Sequence, residues 1–159
     1  MKSIKIELKW SIIFSIMSML WIVLEKVTGL HDENIESHPI YTNLMAIPAI
    51  VIYVLALRDK KYNFFSGHIT YKQVVISGFI LSLMIALLSP LSTYVSVEYL
   101  SPQYFDNMIT YSVDTEAMSL EEATEYFNTS NYMLLSLVSA PIMGILTTLV
   151  VGLFLKSKT

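Results

Sequence analysis

The sequence predicts an all-α polytopic membrane protein with four transmembrane helices and both termini in the cytoplasm. Four long apolar runs divide the chain, at 10–24, 40–57, 74–97 and 132–155. Once these runs are drawn, nine of the ten Lys and Arg residues lie on one side of them, and eleven of the thirteen Asp and Glu residues lie on the other. Because positive residues resist translocation, the basic side is predicted to be cytoplasmic.

The composition supports a single membrane domain spanning residues 1–159. Apolar residues make up 54% of the chain and charged residues only 14%, whereas an average soluble domain carries about 25% charged residues. The chain contains no cysteine, which excludes disulfides, thiolate catalysis and cysteine-based metal centres. The sequence has no basic patch interleaved with aromatic residues, the pattern that would indicate nucleic-acid binding. The lipid bilayer is the predicted partner of the apolar runs.

The first predicted span, 10–28, is built on the shortest apolar run. That run has 15 residues, fewer than the roughly 20 that a transmembrane helix needs. Lys9 and Lys26 can complete the span by extending their charged heads to the two interfaces, and Gly29 is a plausible helix stop. The N-terminus resembles a signal peptide without a small-x-small cleavage site, and we interpret it as an uncleaved signal anchor.

The other predicted spans, 40–57, 74–97 and 132–155, contain 18, 24 and 24 residues. At a rise of about 1.5 Å per residue, the longer two reach about 36 Å and cross a ~30 Å hydrocarbon core. Thr70 and Gln73 match a capping box that is expected to start the third span.

Two sets of residues inside the spans indicate how the helices pack. We interpret the span prolines as kinks satisfied by neighbouring Ser or Thr, with a hinge or an exposed carbonyl site as the alternative. These prolines are Pro48, Pro90 and Pro141.

Small residues recur at every fourth position of the fourth span, which favours close helix approach in lipid. They are Ser136, Ala140, Gly144, Thr148 and Gly152. Packing within the four-helix bundle is the favoured interpretation, and an oligomer or partner seam is the alternative.

The two predicted external segments, 29–39 and 98–131, differ in kind. The second carries seven acidic residues and no Lys, Arg or His. Ser101 before Pro102, and Ser119 three residues before Glu122, are typical of helix N-termini. Phe105, Met108, Ile109 and Val113 fall on one face of the first predicted helix, and Leu120, Ala123 and Phe127 on one face of the second. We expect two short amphipathic helices that lie on the membrane surface or cover the bundle.

The first external segment and its surroundings hold the densest set of potential ligands. The candidate ligand-binding or partner-binding residues are Glu25, His31, Asp32, Glu33, His38 and Asn43. Histidine with carboxylate suits zinc, but the spacing matches no standard motif such as His-Glu-x-x-His. A solvated or interface-capping loop is therefore favoured, and no catalytic residue, metal ion or cofactor is predicted. A binding site remains an alternative, as does a catalytic zinc site using His31, Asp32 and His38.

Short motifs along almost the whole chain carry a resemblance to a known family. They are Leu24-Glu25-Lys26, Gly29-Leu30-His31-Asp32-Glu33-Asn34, Tyr41-Thr42-Asn43-Leu44, Ile47-Pro48-Ala49, Tyr71-Lys72-Gln73, Ser89-Pro90 and Ala140-Pro141-Ile142-Met143-Gly144. With these motifs, its length and its four spans, the chain resembles the Gram-negative bacterial membrane family catalogued as domain of unknown function 4199. The resemblance implies a small inner-membrane protein and no particular mechanism.

Three functional interpretations follow. No charged residue lies within the four apolar runs, which argues against ion-coupled carriers and proton relays. We therefore favour a non-enzymatic accessory or assembly subunit of a cell-envelope complex, self-associating and using its acidic external segment to contact a membrane or envelope partner. A small oligomeric transporter or channel is the first alternative. A membrane metal-dependent enzyme using the external His/Asp loop is the second.

Overall fold

The computed structural model describes residues 4–157, within which all regular structure is helical. Four helical stretches of this part of the chain are long and apolar enough to cross a membrane. The helices are α1 (Lys5–Val27), α2 (His38–Tyr41), α3 (Ala46–Asn63), α4 (Tyr71–Val95), α5 (Tyr104–Asp114), α6 (Leu120–Tyr126) and α7 (Thr129–Leu155). The predicted all-α fold with four candidate spans is confirmed.

The second candidate span is assembled from several helical pieces. It runs without a break from Ile35 to Asn63 and includes α2, α3 and the short 3-10 turns Ile35–Ser37 and Thr42–Met45. The third candidate span continues α4 through a π-helical turn, Ser96–Leu100. Such π-helical insertions often occur at functional sites.

Helices α4 and α7 form the most extensive helix pair, and two glycines set their separation. A Cβ atom on Gly78 would lie 2.1 Å from Thr148 Cγ2, and one on Gly144 would lie 2.0 Å from Tyr53 Oη and 2.4 Å from Ser82 Oγ. The Ser82 hydroxyl donates to the Gly78 carbonyl (2.7 Å), and the Thr148 hydroxyl donates to the Gly144 carbonyl (2.8 Å). Each glycine therefore accommodates a hydroxyl residue of the opposite helix.

The rest of the small-residue series also lies within the chain's own packing. Gly152 faces Tyr71 and Val74, whose side chains would lie 3.1 Å from an added Cβ atom. Ala140 packs against the buried cluster that contains Tyr53, and the Ser136 hydroxyl donates to a carbonyl of its own helix. From Ala140 to Gly152 the series thus contacts other helices of the same chain.

Helix α1 is attached to the bundle through buried polar residues, as well as through Trp10 and Phe14, which pack against the cluster that contains Tyr53. Its buried residues are Glu7, Ser11 and Glu25. The Glu7 carboxylate lies 2.8 Å from Lys60 Nζ on α3 and accepts a 2.6 Å hydrogen bond from the Ser77 hydroxyl on α4. One buried carboxylate therefore joins three helices.

The same end of the bundle, here called the terminal end, carries further polar contacts. Asp59 accepts hydrogen bonds from Lys9, from Trp10 Nε1 (2.7 Å) and from Asn63 (2.7 Å). The Ser157 backbone N–H donates to the Ile69 carbonyl at 2.8 Å. The start of α1 and the end of α7 therefore lie at one end of the bundle.

The prolines occupy two kinds of position, inside a helix and in the first turn of one. Pro90 lies inside α4, where it removes the donor for the Ala86 carbonyl, and the Ser89 hydroxyl donates to that carbonyl instead (2.9 Å). Pro48 lies in the first turn of α3, and Pro141 lies inside α7.

Helices α5 and α6 cover the opposite end of the bundle, here called the cap end. Their apolar faces meet in a buried cluster that reaches Ile35 and Tyr132. Its fully buried members are Tyr104, Met108, Ala123 and Phe127. The Ser119–Glu122 and Thr70–Gln73 capping boxes are both confirmed.

Two details of the predicted cap are wrong. Ser101 does not cap α5, which begins at Tyr104 after Gln103 without a side-chain cap. Leu120 is 64% exposed instead of joining the apolar face. In both cases a local pattern favoured a role that the tertiary contacts overrode.

The glycine contacts predict that Gly144→Ala destabilises the protein. The added methyl group overlaps Tyr53 Oη and Ser82 Oγ, which are hydrogen-bonded to each other at 2.9 Å. Overpacking of this kind costs about 1–3 kcal/mol. Thermal unfolding in mild detergent measures the loss, and Val138→Leu on the exposed face of α7 is the control. Equal stability of the two variants would contradict the proposed packing role.

The buried Glu7–Lys60 ion pair predicts that removing one of its charges costs more stability than removing both. Lys60→Met leaves the Glu7 carboxylate buried without its counter-charge and is expected to cost about 3 kcal/mol. The double variant Glu7→Leu/Lys60→Met removes both charges and is expected to be more stable than that single variant. Unfolding in detergent compares them, with Arg58→Met, an exposed site on the same helix, as the control. A double variant less stable than Lys60→Met would refute this account.

Candidate functional site

Three titratable side chains, from the end of α1, the loop after it and the start of α2, meet at the cap end. His31 Nε2 lies 3.3 Å from Glu25 Oε2, and His38 Nε2 lies 3.9 Å from the same oxygen. Glu25 is 1% exposed, His31 is 3% exposed, and the His38 side chain is 12% exposed. One ligand atom from each residue lies within 4.8 Å of the other two. We refer to these three residues as the Glu–His–His cluster.

The end of α1 orients Glu25 and His31. Trp21 Nε1 donates to Glu25 Oε1 at 2.7 Å from one turn earlier in the helix. The chain then leaves the helix through Gly29, whose φ of +77° is the left-handed conformation that favours glycine. The Leu30 N–H donates to the Glu25 carbonyl and the Gly29 N–H to the Lys26 carbonyl, the hydrogen bonds of a Schellman motif. This turn brings His31 back over Glu25.

The end of α4 supplies the partner of His31. Ser101 Oγ lies 2.8 Å from His31 Nδ1, and the Ser101 N–H donates to the carbonyl of Ser96, the first residue of the π-helical turn. The Asn107 side chain on α5 donates to the His31 carbonyl at 2.7 Å. His31 therefore connects the first loop to both α4 and the cap.

Tyr104 on α5 covers the two imidazoles. Its ring centroid lies 4.5 Å from that of His31 and 5.3 Å from that of His38. Burial, reinforced by nearby Tyr132, raises the pKa of the Tyr104 hydroxyl far above its usual range. The hydroxyl therefore stays neutral at physiological pH, and the ring closes the cluster from the cap side.

The remaining predicted site residues lie elsewhere. Asp32 and Glu33 are exposed, and Asp32 accepts a hydrogen bond from the Glu33 backbone N–H at 2.6 Å. Asn43 is also exposed and donates to the Pro39 carbonyl at 2.7 Å. The structure thus brings Glu25, His31 and His38 together. Asp32, Glu33 and Asn43 lie outside the cluster.

Residues that the sequence did not single out complete the site. Ser101 carried a helix-cap signal, and nothing local connects it to His31, which lies 70 positions earlier. Tyr104 was not among the expected apolar positions of α5. Trp21 precedes Glu25 by four residues, so the i,i+4 spacing of a helix was the one available signal for its role.

A family model described as a protein of unknown function, DUF4199, matches residues 9–157 of the chain. The chain belongs to the DUF4199 family. The match covers all four candidate spans almost completely and confirms the resemblance found in the sequence motifs. No curated protein and no solved structure matches the chain. The function of this DUF4199 protein therefore has to be argued from its own geometry.

Two kinds of chemistry are available to the cluster. As a hydrogen-bonded network, it ties the end of α1 to the first loop and, through Ser101, to α4. As a set of two imidazole nitrogens and one carboxylate oxygen, it offers the donor atoms of a transition-metal site. A cavity of about 430 Å³, lined by Trp21, Glu25 and Tyr41 among others, borders the carboxylate.

The network predicts that Glu25→Ala loosens the cap end. The substitution removes the acceptor of Trp21 Nε1 and leaves the buried His31 without its carboxylate. A lost buried partner costs about 1–3 kcal/mol, more for charged groups. Hydrogen exchange is expected to rise in the loop after α1 and in α5, with no change near Glu7. Glu33→Ala, at an exposed residue of the same loop, is the control. Unchanged exchange in α5 would rule out this anchoring role.

Proposed function

We propose that this DUF4199 protein is a non-enzymatic accessory or assembly subunit of a bacterial cell-envelope complex, resident in the inner membrane. Its two termini lie in the cytoplasm, and its cap lies on the outer side, where it contacts a partner protein. The charge distribution supports this orientation, since nine of ten Lys and Arg residues fall on the terminal side of the spans.

The observation that carries the proposal is the acidic surface of an ordered cap. All seven acidic residues of 98–131 are exposed: Glu98, Asp106, Asp114, Glu116, Glu121, Glu122 and Glu125. Two of them also have structural roles. Glu98 accepts a 2.6 Å hydrogen bond from Thr129, and the Ser119 hydrogen bonds of the capping box lower the pKa of Glu122.

The helices that carry this acidic surface are held in place by buried contacts. The cluster around Tyr104 and Phe127 gives α5 and α6 their own apolar core, and Asn107 ties α5 to the first loop. With no Lys, Arg or His in 98–131, the negative field is not neutralised within the segment. Such a field attracts a basic partner surface and discriminates against acidic ones.

A transporter or channel has weaker support. The buried carboxylates Glu7 and Glu25 lie near opposite ends of α1, about 27 Å apart along a helix of 1.5 Å rise per residue. Between them α1 buries only Ser11. The buried hydroxyls of Ser77, Ser82 and Thr148 on the other spans are each hydrogen-bonded within the bundle.

The proposal is tested by a mild-detergent affinity pull-down with mass spectrometry and native mass measurement. Glu121→Lys/Glu125→Lys reverses two exposed charges on α6 without touching the capping box. Glu33→Lys/Glu36→Lys makes the same net change on the first loop and is the control. We expect wild type and control to retain a stoichiometric envelope partner and the α6 variant to lose it.

Two results would contradict the proposal. One is equal partner recovery by the α6 variant and the control. The other is a clean homo-oligomer with no partner, which would shift support to the transporter alternative. Flux or lipid-scrambling assays in proteoliposomes would then be the decisive measurement.

A further inference from the structure

We propose that Glu25, His31 and His38 bind one divalent transition-metal ion, with Zn²⁺ the best match to their donor atoms. The ion would be held by Glu25 Oε2 and by the Nε2 atoms of both histidines. This inference goes beyond the partner role proposed above, because it rests on the interior of the cap end and not on the acidic surface.

Burial distinguishes this cluster from an ordinary polar loop. The adjacent loop residues Asp32 and Glu33 are exposed, whereas Glu25 and His31 are almost completely buried. Removing a carboxylate from water is costly unless a cation or several donors compensate for it. Trp21, His31 and Thr42 supply part of that compensation through hydrogen bonds, and a divalent ion at Oε2 would supply more.

His38 provides the second observation. Within residues 4–157 its ring nitrogens make no hydrogen bond, and its Nε2 points to Glu25 Oε2 from 3.9 Å, too far for one. The His31 contact with the same oxygen, at 3.3 Å, is long for a charge-assisted hydrogen bond. His31 thus makes a long hydrogen bond to Glu25 Oε2, and His38 approaches the same oxygen without making one.

The His31 and Glu25 atoms that face away from the cluster are hydrogen-bonded, which leaves the atoms that face it available. Ser101 occupies His31 Nδ1, which leaves Nε2 facing the cluster, and Trp21 occupies Glu25 Oε1, which leaves Oε2 facing it. Metal-binding histidines usually have their second nitrogen hydrogen-bonded in this way, which fixes the orientation of the ring. The cluster therefore has both the ligands and the groups that would orient them.

The spacing requires only a small contraction. Bonds of about 2.0–2.2 Å in tetrahedral geometry place ligand atoms about 3.3–3.6 Å apart. The contacts of Glu25 Oε2 at 3.3 and 3.9 Å are close to this range, and the cluster as a whole spans no more than 4.8 Å. Rotation of the His38 ring, whose side chain is 12% exposed, would close the remaining distance. A cavity lined by Trp21, Glu25 and Tyr41 lies beside the cluster, and neither histidine is among its lining residues.

The test uses the full-length protein in mild detergent, stripped with EDTA and then titrated with Zn²⁺ alone by calorimetry. Co²⁺ absorption reports the coordination geometry. The variants are His31→Ala, His38→Gln and Ser101→Ala, and His68→Ala, an exposed histidine at the terminal end, is the control. Thermal unfolding without metal verifies that each variant is folded.

We expect one Zn²⁺ per chain in wild type and His68→Ala, and a tetrahedral or five-coordinate Co²⁺ spectrum. Affinity is expected to fall more than about 100-fold in His38→Gln and about 10-fold in Ser101→Ala, which removes only an orienting hydrogen bond. His38→Gln is decisive if His31→Ala fails to fold. No stoichiometric binding by folded wild type, or equal affinity of His38→Gln and His68→Ala, would overturn the proposal. Partner capture in the pull-down is a separate readout, so either proposal can fail alone.

Discussion

The attachment of α1 through buried polar residues is the constraint on which the arrangement of the bundle depends. In lipid no hydrophobic force drives apolar helices together, so packing and polar contacts decide how they associate. All three buried residues of α1 are polar, and its carboxylates Glu7 and Glu25 make its main polar contacts at the two ends. Glu7 joins α1 to α3 and α4 through Lys60 and Ser77. Glu25 places the turn that carries His31 and so determines where the cap is anchored.

The close approach of α4 and α7 provides the rigid half of the bundle. Gly78 and Gly144 admit Thr148 and Ser82 where no Cβ atom would fit, and each hydroxyl is satisfied by a carbonyl of its own helix. Small residues let backbones approach closely enough to gain dispersion energy, which compensates for the missing hydrophobic force. The same pair holds Ser101 and Tyr132 at the cap end, because these residues follow α4 and begin α7.

The sequence predicted the features that local patterns encode. Four apolar runs, the capping boxes at Thr70 and Ser119, and the helix stop at Gly29 depend on residues within a few positions of one another. The Glu–His–His cluster could be foreseen only as a group of candidates, because burial and the Ser101 hydrogen bond that orients His31 come from contacts distant in the sequence. Ser101 shows the limit clearly. Its position before a proline favoured a helix cap, but the π-helical turn directs its hydroxyl to His31.

The position of the cluster links the interior of the protein to its acidic surface. His31 contacts Ser101, Asn107 and Tyr104, and the last two belong to α5, whose exposed face carries part of the negative charge. Occupancy of the proposed metal site would therefore act first on the base of the cap. The cap has other attachments, through Tyr132 and through Glu98 to Thr129, and these would keep it folded while its anchoring changed. Helix α5 is therefore the element that joins the proposed metal site to the proposed partner surface.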